Sequence, residues 1–216
     1  MASNDALRRK QRSEAILREE GVPILANLPT VEDESSVRFR SLEEVAWRTM
    51  ALNVVAVKGE GLDQTRVLEI VEQYQLAARF TPKETKFIFD SSPTDHQRIQ
   101  FSWRYEAYWV LLWALNYVEK LERPDAVCDV ERGVQIMVDR TSIAFIAEAK
   151  LRTAVEILDA TDLIYRYDWA CVDARLNDRI IPAGLNPSVV AERHHAFNWL
   201  VGYGENADWD DVSTDT

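Results

Sequence analysis

The sequence predicts an all-α fold, a single compact multi-helix domain around a central apolar, Trp-rich helix, with a long N-terminal wrapping loop. Three observations lead there. Helix-start chemistry recurs in the capping boxes Ser41-Leu-Glu-Glu44, Thr81-Pro-Lys-Glu84 and Thr153-Ala-Val-Glu156, where a hydroxyl and a carboxylate each satisfy an orphan backbone N–H. Glycine and proline number only seven each in 216 residues, well below the usual shares of ~7 % and ~5 %, which predicts few tight turns and long helices. Hydrophobic residues make up 47 % of the chain, with seven each of Trp, Tyr and Phe, enough to core one domain.

Taken in order, residues 1–20 give a charged N-terminal helix, about Asn4 to Glu20, and residues 21–216 the helical domain. The stretch "GVPILANLPTVEDESS" has two prolines and no period, so it reads as a wrapping loop anchored by Ile24 and Leu28. Ser41 starts the next helix, Asp63 caps "QTRVLEIVEQYQLAARF", and Thr81 starts another with Pro82 at the favoured first position. "SWRYEAYWVLLWALNYVEKL" is apolar on nearly every face from Ala107 to Leu115, which places it centrally. From Thr141 to Ile181 there is neither Gly nor Pro, but the box at Thr153 divides the run into a helix ending near Lys150 and one from about Ala154 to Asn177. Asn186-Pro187 repeats the cap-then-proline signal. "VRFRS" and "KFIFD" alternate too briefly to be more than weak strand candidates.

Charge narrows the partners. Lys and Arg total 25 against 36 Asp and Glu, a net charge of -11, and the only basic run is "RRKQR". Nucleic-acid binding, which needs cations to neutralise phosphates, is therefore not expected; the expected partner is another protein. The longest apolar run is too short to span a bilayer and the N-terminus lacks the apolar core of a signal peptide, so neither a membrane nor secretion is expected. Cys128 and Cys171 stand apart without metal-ligand spacing and read as free thiols of a cytoplasmic protein. No cofactor is implied.

Polar residues nevertheless recur where a core stripe belongs. Asp159, Asp162, Arg166, Trp169 and Asp173 follow one another at spacings of three and four, which puts them on one helix face. Asp162 and Arg166 can pair directly, and Arg104 and Glu106 are the natural partners for Asp159 and Asp173. The stripe is either a structural ion network or a site. Glu192-Arg-His-His195 contains Glu-x-x-His, the spacing of helical di-metal centres, but a second pair is lacking, so no metal is expected and one of His194 and His195 should face solvent. Trp103, Tyr105, Trp109, Trp113 and Tyr117 at helical spacing read as core. No nucleophile elbow, P-loop or dinucleotide fingerprint is present.

"SWRYEAYWVLLWAL", "LRTAVEILDATDLIYRYDWACVDARL", "GLNPSVVAERHHAFNWL" and "WDDVSTDT" together resemble the bacterial family called domain of unknown function 4272. The likeness runs from "GVPILANLP" onward and is densest from Trp103 to the end. It implies a compact helical protein with signature residues Trp103, Arg104, Glu106, Arg152, Asp162, Arg166, Trp169, Asp173, Arg175, Glu192, Arg193, His194, Asn198, Trp199, Trp209, Asp210, Asp215 and Thr216. His195 is the less typical of the two histidines. The family brings no activity, cofactor or partner, but it implies that the acidic tail is ordered, with Trp209 as its anchor and Asp210 and Asp211 free to cap a helix or meet Arg152, Arg166 or Arg193.

Two functions fit these residues, the first the one expected from the negative charge and the missing catalytic motifs, the second its alternative. A non-catalytic, protein-binding regulatory module would keep the polar network closed and lack a deep pocket. An enzyme or small-ligand binder would open a cleft where Arg104, Glu106, Asp162, Arg166 and His194 or His195 converge, with arginines holding an anion and a carboxylate or imidazole moving a proton.

Overall fold

Local hydrogen bonding sets where the helices begin. The structure, a computed structural model, describes residues 3–206 and 208–215; Thr216 of the family signature lies outside them. In chain order the helices are α1 (Asn4–Glu20), α2 (Leu42–Gly59), α3 (Gln64–Gln73), α4 (Pro82–Phe89), α5 (Asp95–Ser102), α6 (Arg104–Ala114), α7 (Val130–Val138), α8 (Ser142–Glu148), α9 (Ala154–Leu176), α10 (Pro187–Leu200) and α11 (Tyr203–Asn206). Short 3-10 turns follow at Pro182–Gly184 and Trp209–Asp211. Ser41, Thr81 and Thr153 each close a full capping box, and Asp63 and Asn186 cap α3 and α10. A fourth box, Thr94 with Gln97, starts α5.

No strand occurs among the described residues. "KFIFD" belongs to α4, whose Phe87 and Ile88 are buried, so its apparent alternation is the inner edge of a helix. Tight reversals are also more frequent than the glycine count predicts. Gln75, Asn116 and Asp178 adopt left-handed backbone, with φ of 58°, 61° and 51°, just beyond the ends of α3, α6 and α9. Asn116 is a favoured non-glycine residue there, and its side chain also donates to the Lys150 carbonyl at 2.7 Å.

Ten residues of α6, Tyr105 to Ala114, are buried, and α6 packs against both α2 and α10. On the far side of α10 lies α9, which in turn carries α1. One continuous core runs from Leu17 of α1 to Trp209 of the tail, so the described chain is a single domain. Three ties hold its layers. At Gly59 α2 meets α5 so closely that a Cβ would stand 2.5 Å from the Ser102 nitrogen. Lys58, 3 % exposed, donates to the carbonyls of Ile88 and Asp90 at 2.8 and 2.6 Å, the carbonyl-rich end of α4 that favours a cation. Arg152 donates to the Trp113, Val118 and Glu119 carbonyls at 2.8, 3.1 and 2.8 Å and so closes the end of α6.

Candidate functional site

The polar residues singled out by spacing are paired, but not with the partners that spacing suggested. Glu106, 2 % exposed, accepts from Arg193 Nε at 3.0 Å and from the Cys128 backbone N–H at 2.6 Å. Arg193 also donates to the Glu122 carbonyl at 2.6 Å. Arg104 Nη1 meets both oxygens of Glu192 at 2.9 and 2.7 Å. Both pairs therefore join α6 to α10. Asp159 instead turns to α1, accepting from Arg12 at 2.6 Å and Arg9 at 3.3 Å, and Asp173 accepts from Arg179 at 2.5 Å. The expected links from Arg104 and Glu106 to Asp159 and Asp173 do not form, because α10 lies between α6 and α9. Asp162 and Arg166 do pair within α9, with two bonds of 2.8 Å, while Trp169 is half-buried against the core. Charges taken out of water in this way need partners, and here they have them.

Of the two roles expected for the tail, Asp210 takes the helix cap and not the meeting with the arginines. Trp209 is 3 % exposed and packs edge-on against Trp199 and His195, with ring centroids 5.5 and 4.7 Å away. Asp210 does not reach Arg152, Arg166 or Arg193; its carboxylate accepts from the Lys83 backbone N–H at 3.2 Å and so caps α4. Neither histidine faces solvent freely. His195 Nε2 stands 3.1 Å from the Trp209 carbonyl, which makes Nε2 the protonated nitrogen. Burial, reinforced by Arg104, lowers its pKa to about 4. With Glu192 held by Arg104 and His195 by Trp209, the Glu-x-x-His pair has no free ligand face, and no metal-binding cluster occurs among the described residues.

His194 is different. It is 1 % exposed, yet it lines a cavity of about 600 Å³. The cavity forms where Thr161 and Tyr165 of α9 meet His194 and Asn198 of α10, under a wall of residues 29–38 and a rim of residues 201–204 and Asp215. Its α9 wall is Thr161 and Tyr165, one position off the Asp162–Arg166 pair on the same helix, with Asp168 behind the imidazole. Asp168 Oδ2 lies 3.2 Å from His194 Nδ1, off the line of a hydrogen bond. Such contacts often tighten when a site fills. With Nδ1 turned toward Asp168, Nε2 is the nitrogen left to meet a ligand. Tyr165 packs against the imidazole with centroids 5.8 Å apart, and Asn198 donates to the Ser213 carbonyl at 2.8 Å, which ties the tail to the rim.

Buried cations fix the loop wall. Arg166 Nη2 donates to the Pro29 carbonyl and Arg9 to the Glu32 carbonyl, both at 3.3 Å. Lys10 adds the carbonyls of Ala26 and Leu28 at 2.6 and 2.7 Å. The predicted ion stripe is thus the scaffold behind the cavity rather than its lining. Sequence reasoning passed over Asp168, Thr161 and Tyr165; their spacing of four and three on one helix was the available signal.

No described helix is long and apolar enough to cross a membrane. The sequence model of one protein family, described as Domain of unknown function (DUF4272), matches residues 9–212. No curated protein and no solved structure matches the chain.

Proposed function

The chain belongs to the DUF4272 family, and we propose that it binds a small molecule in the cavity between α9, α10 and the 29–38 loop, with His194 as the polar group that orients it. The observation that carries this reading is a buried imidazole, its Nδ1 3.2 Å from Asp168 Oδ2, with about 600 Å³ of space in front of it. That volume lies in the range of small-ligand pockets, which are mostly apolar with a few convergent polar groups. Val31, Val37 and Val201 supply apolar wall, and His194, Asn198, Thr161 and Tyr165 the polar points. A ligand that offers a hydrogen-bond donor would meet Nε2 on the cavity side of the ring, with the Asp168 carboxylate 3.2 Å from Nδ1 on the other side.

Thermal shift with a library of small metabolites at millimolar concentration tests it. A ligand at a hundred times its Kd stabilises by about 2.7 kcal/mol, which for a chain of this length raises Tm by roughly 5–10 °C. His194→Phe should weaken the hit, and Val37→Trp, which fills the cavity from the loop side, should abolish it while leaving the unliganded Tm nearly unchanged. If every hit shifts wild type and V37W equally, the cavity is not the site.

A further inference from the structure

A second cavity, on the opposite face of α10 from His194, has a different chemistry. About 790 Å³ of open groove is lined by Arg40, Arg48, Arg79, Lys83 and three tryptophans, 47, 199 and 209. Each guanidinium stacks on one indole: Arg40 on Trp199 at 4.8 Å, Arg48 on Trp209 at 5.2 Å and Arg79 on Trp47 at 4.2 Å. The groove wall is thus rich in cations although the chain as a whole carries -11. Of its acids outside the 208–211 segment, Glu44 closes the capping box and Glu43 accepts from the Trp47 indole N–H at 3.3 Å; behind the wall, Glu84 accepts from Arg48 at 2.5 Å. Arg79 is exposed, and no described carboxylate pairs with it.

The chain's own tail shows what the groove accepts. Trp209 inserts among Trp199, Arg48 and His195, while Asp210 places its carboxylate on the N-terminus of α4 and its carbonyl on Lys83 Nζ at 3.0 Å. An indole followed by a carboxylate is read by an aromatic pocket, a helix N-terminus and a lysine together. The fit is incomplete. Trp209 Nε1 and Arg48 Nε are buried donors without partners, each of which weakens the docked state. Gly202 and Gly204, with φ of 64° and 70°, precede the segment and give it a backbone that reverses readily.

We infer that this groove is a recognition site for acidic, tryptophan-bearing peptide segments of another protein, and that residues 208–211 are its resident occupant in cis. A partner segment competes with the tail and displaces it. The wall cations supply charge complementarity, and the indole pocket supplies the anchor, in the manner of buried aromatic hot spots.

The test uses the full-length chain and a fluorescently labelled synthetic peptide of residues 205–216, followed by anisotropy. In wild type the tethered tail competes at an effective concentration near millimolar, so the peptide should bind weakly. Trp209→Ala removes the anchor of the competitor, and the peptide should bind that variant at least tenfold more tightly. Adding Arg79→Glu should then weaken binding several-fold, and raising the salt should do the same. The same peptide with alanine in place of its tryptophan should not bind. If W209A retains its helical circular dichroism and shows no saturable binding up to millimolar peptide, the inference is overturned. Should W209A lose its helicity, Trp209→Phe carries the same comparison: tighter binding than wild type supports the inference, and no difference refutes it.

Discussion

Replacing Arg193 with methionine asks whether the paired charges are architecture. The substitution keeps most of the side-chain volume but removes the charge-assisted bond to Glu106, which is worth about 1.5–3 kcal/mol, and the bond to the Glu122 carbonyl, about 1 kcal/mol more. Glu106 would remain 2 % exposed in the unaltered fold, with only the Cys128 N–H to satisfy it. Breaking one side of such a pair costs about 3–5 kcal/mol, a large part of the roughly 5–15 kcal/mol that holds an ordinary domain together. In urea unfolding followed by circular dichroism, the midpoint should fall by about 1.5 M, taking a slope near the upper end of the usual range. Glu106→Gln keeps an acceptor for Cys128 but turns an amide toward Arg193, and should cost nearly as much. The double variant should cost clearly less than the two single costs added together, because neither charge is then left alone. If R193M costs under about 1 kcal/mol and the double variant is simply additive, the pair does not support the fold and should be treated as part of a site.

Two further perturbations probe other parts of the structure. His195 titrates near 4 in the native state against an ordinary value of 6.5, so the unfolded chain binds the proton first and stability is lost as pH falls from about 6.5 toward 4. The ceiling is about 3 kcal/mol at 1.36 kcal/mol per unit, and His195→Gln, which keeps an N–H for the Trp209 carbonyl, should lose correspondingly less between pH 7 and 4.5 in parallel urea melts. Gly59→Ala would place its Cβ 2.5 Å from the Ser102 nitrogen and 2.9 Å from the Arg98 carbonyl oxygen; since both are backbone, overpacking should cost about 2–3 kcal/mol, and a neutral effect on Tm would show that α2 and α5 are not in such close contact.

Helix starts were legible in the sequence because a cap is local chemistry. Ser41, Thr81 and Thr153 bond within their own first turn whatever packs around them, and the Thr153 box correctly divided a run of forty-odd residues that has no glycine or proline. Turns were less legible. Counting glycines assumes that only glycine takes left-handed backbone, whereas Gln75, Asn116 and Asp178 take it here, and Gly59 is needed for close packing rather than for a turn. The charges were legible as a set but not as pairs. Residue spacing fixes which side chains share a helix face; which helix lies opposite that face depends on packing between segments far apart in the chain. Asp162 and Arg166, four residues apart, could be paired by inspection, but Glu106 and Arg193 could not.

The same limit explains why the cavity escaped notice. The outermost charges of the predicted stripe turn to α1 and to Arg179, while Asp162 and Arg166 form a buried pair whose Nη2, shared between Asp162 and the Pro29 carbonyl, holds the loop wall. One residue along the helix, the neighbouring pair of Thr161 and Tyr165 faces the cavity, and Asp168 stands 3.2 Å from its histidine. Adjacent residues on a helix point about 100° apart, so a shift of a single position separates scaffold from lining. On α10 the shift separates two surroundings: His194 and Asn198 look into the cavity, whereas His195 and Trp199 hold the Trp209 segment. Asn198 joins the two by its bond to the Ser213 carbonyl. If the small-molecule and peptide sites are both occupied in solution, α10 is one element that touches both, and Asn198→Ala, which removes a polar point of the cavity together with the bond to the Ser213 carbonyl, should weaken the small-molecule hit and lessen its effect on peptide binding.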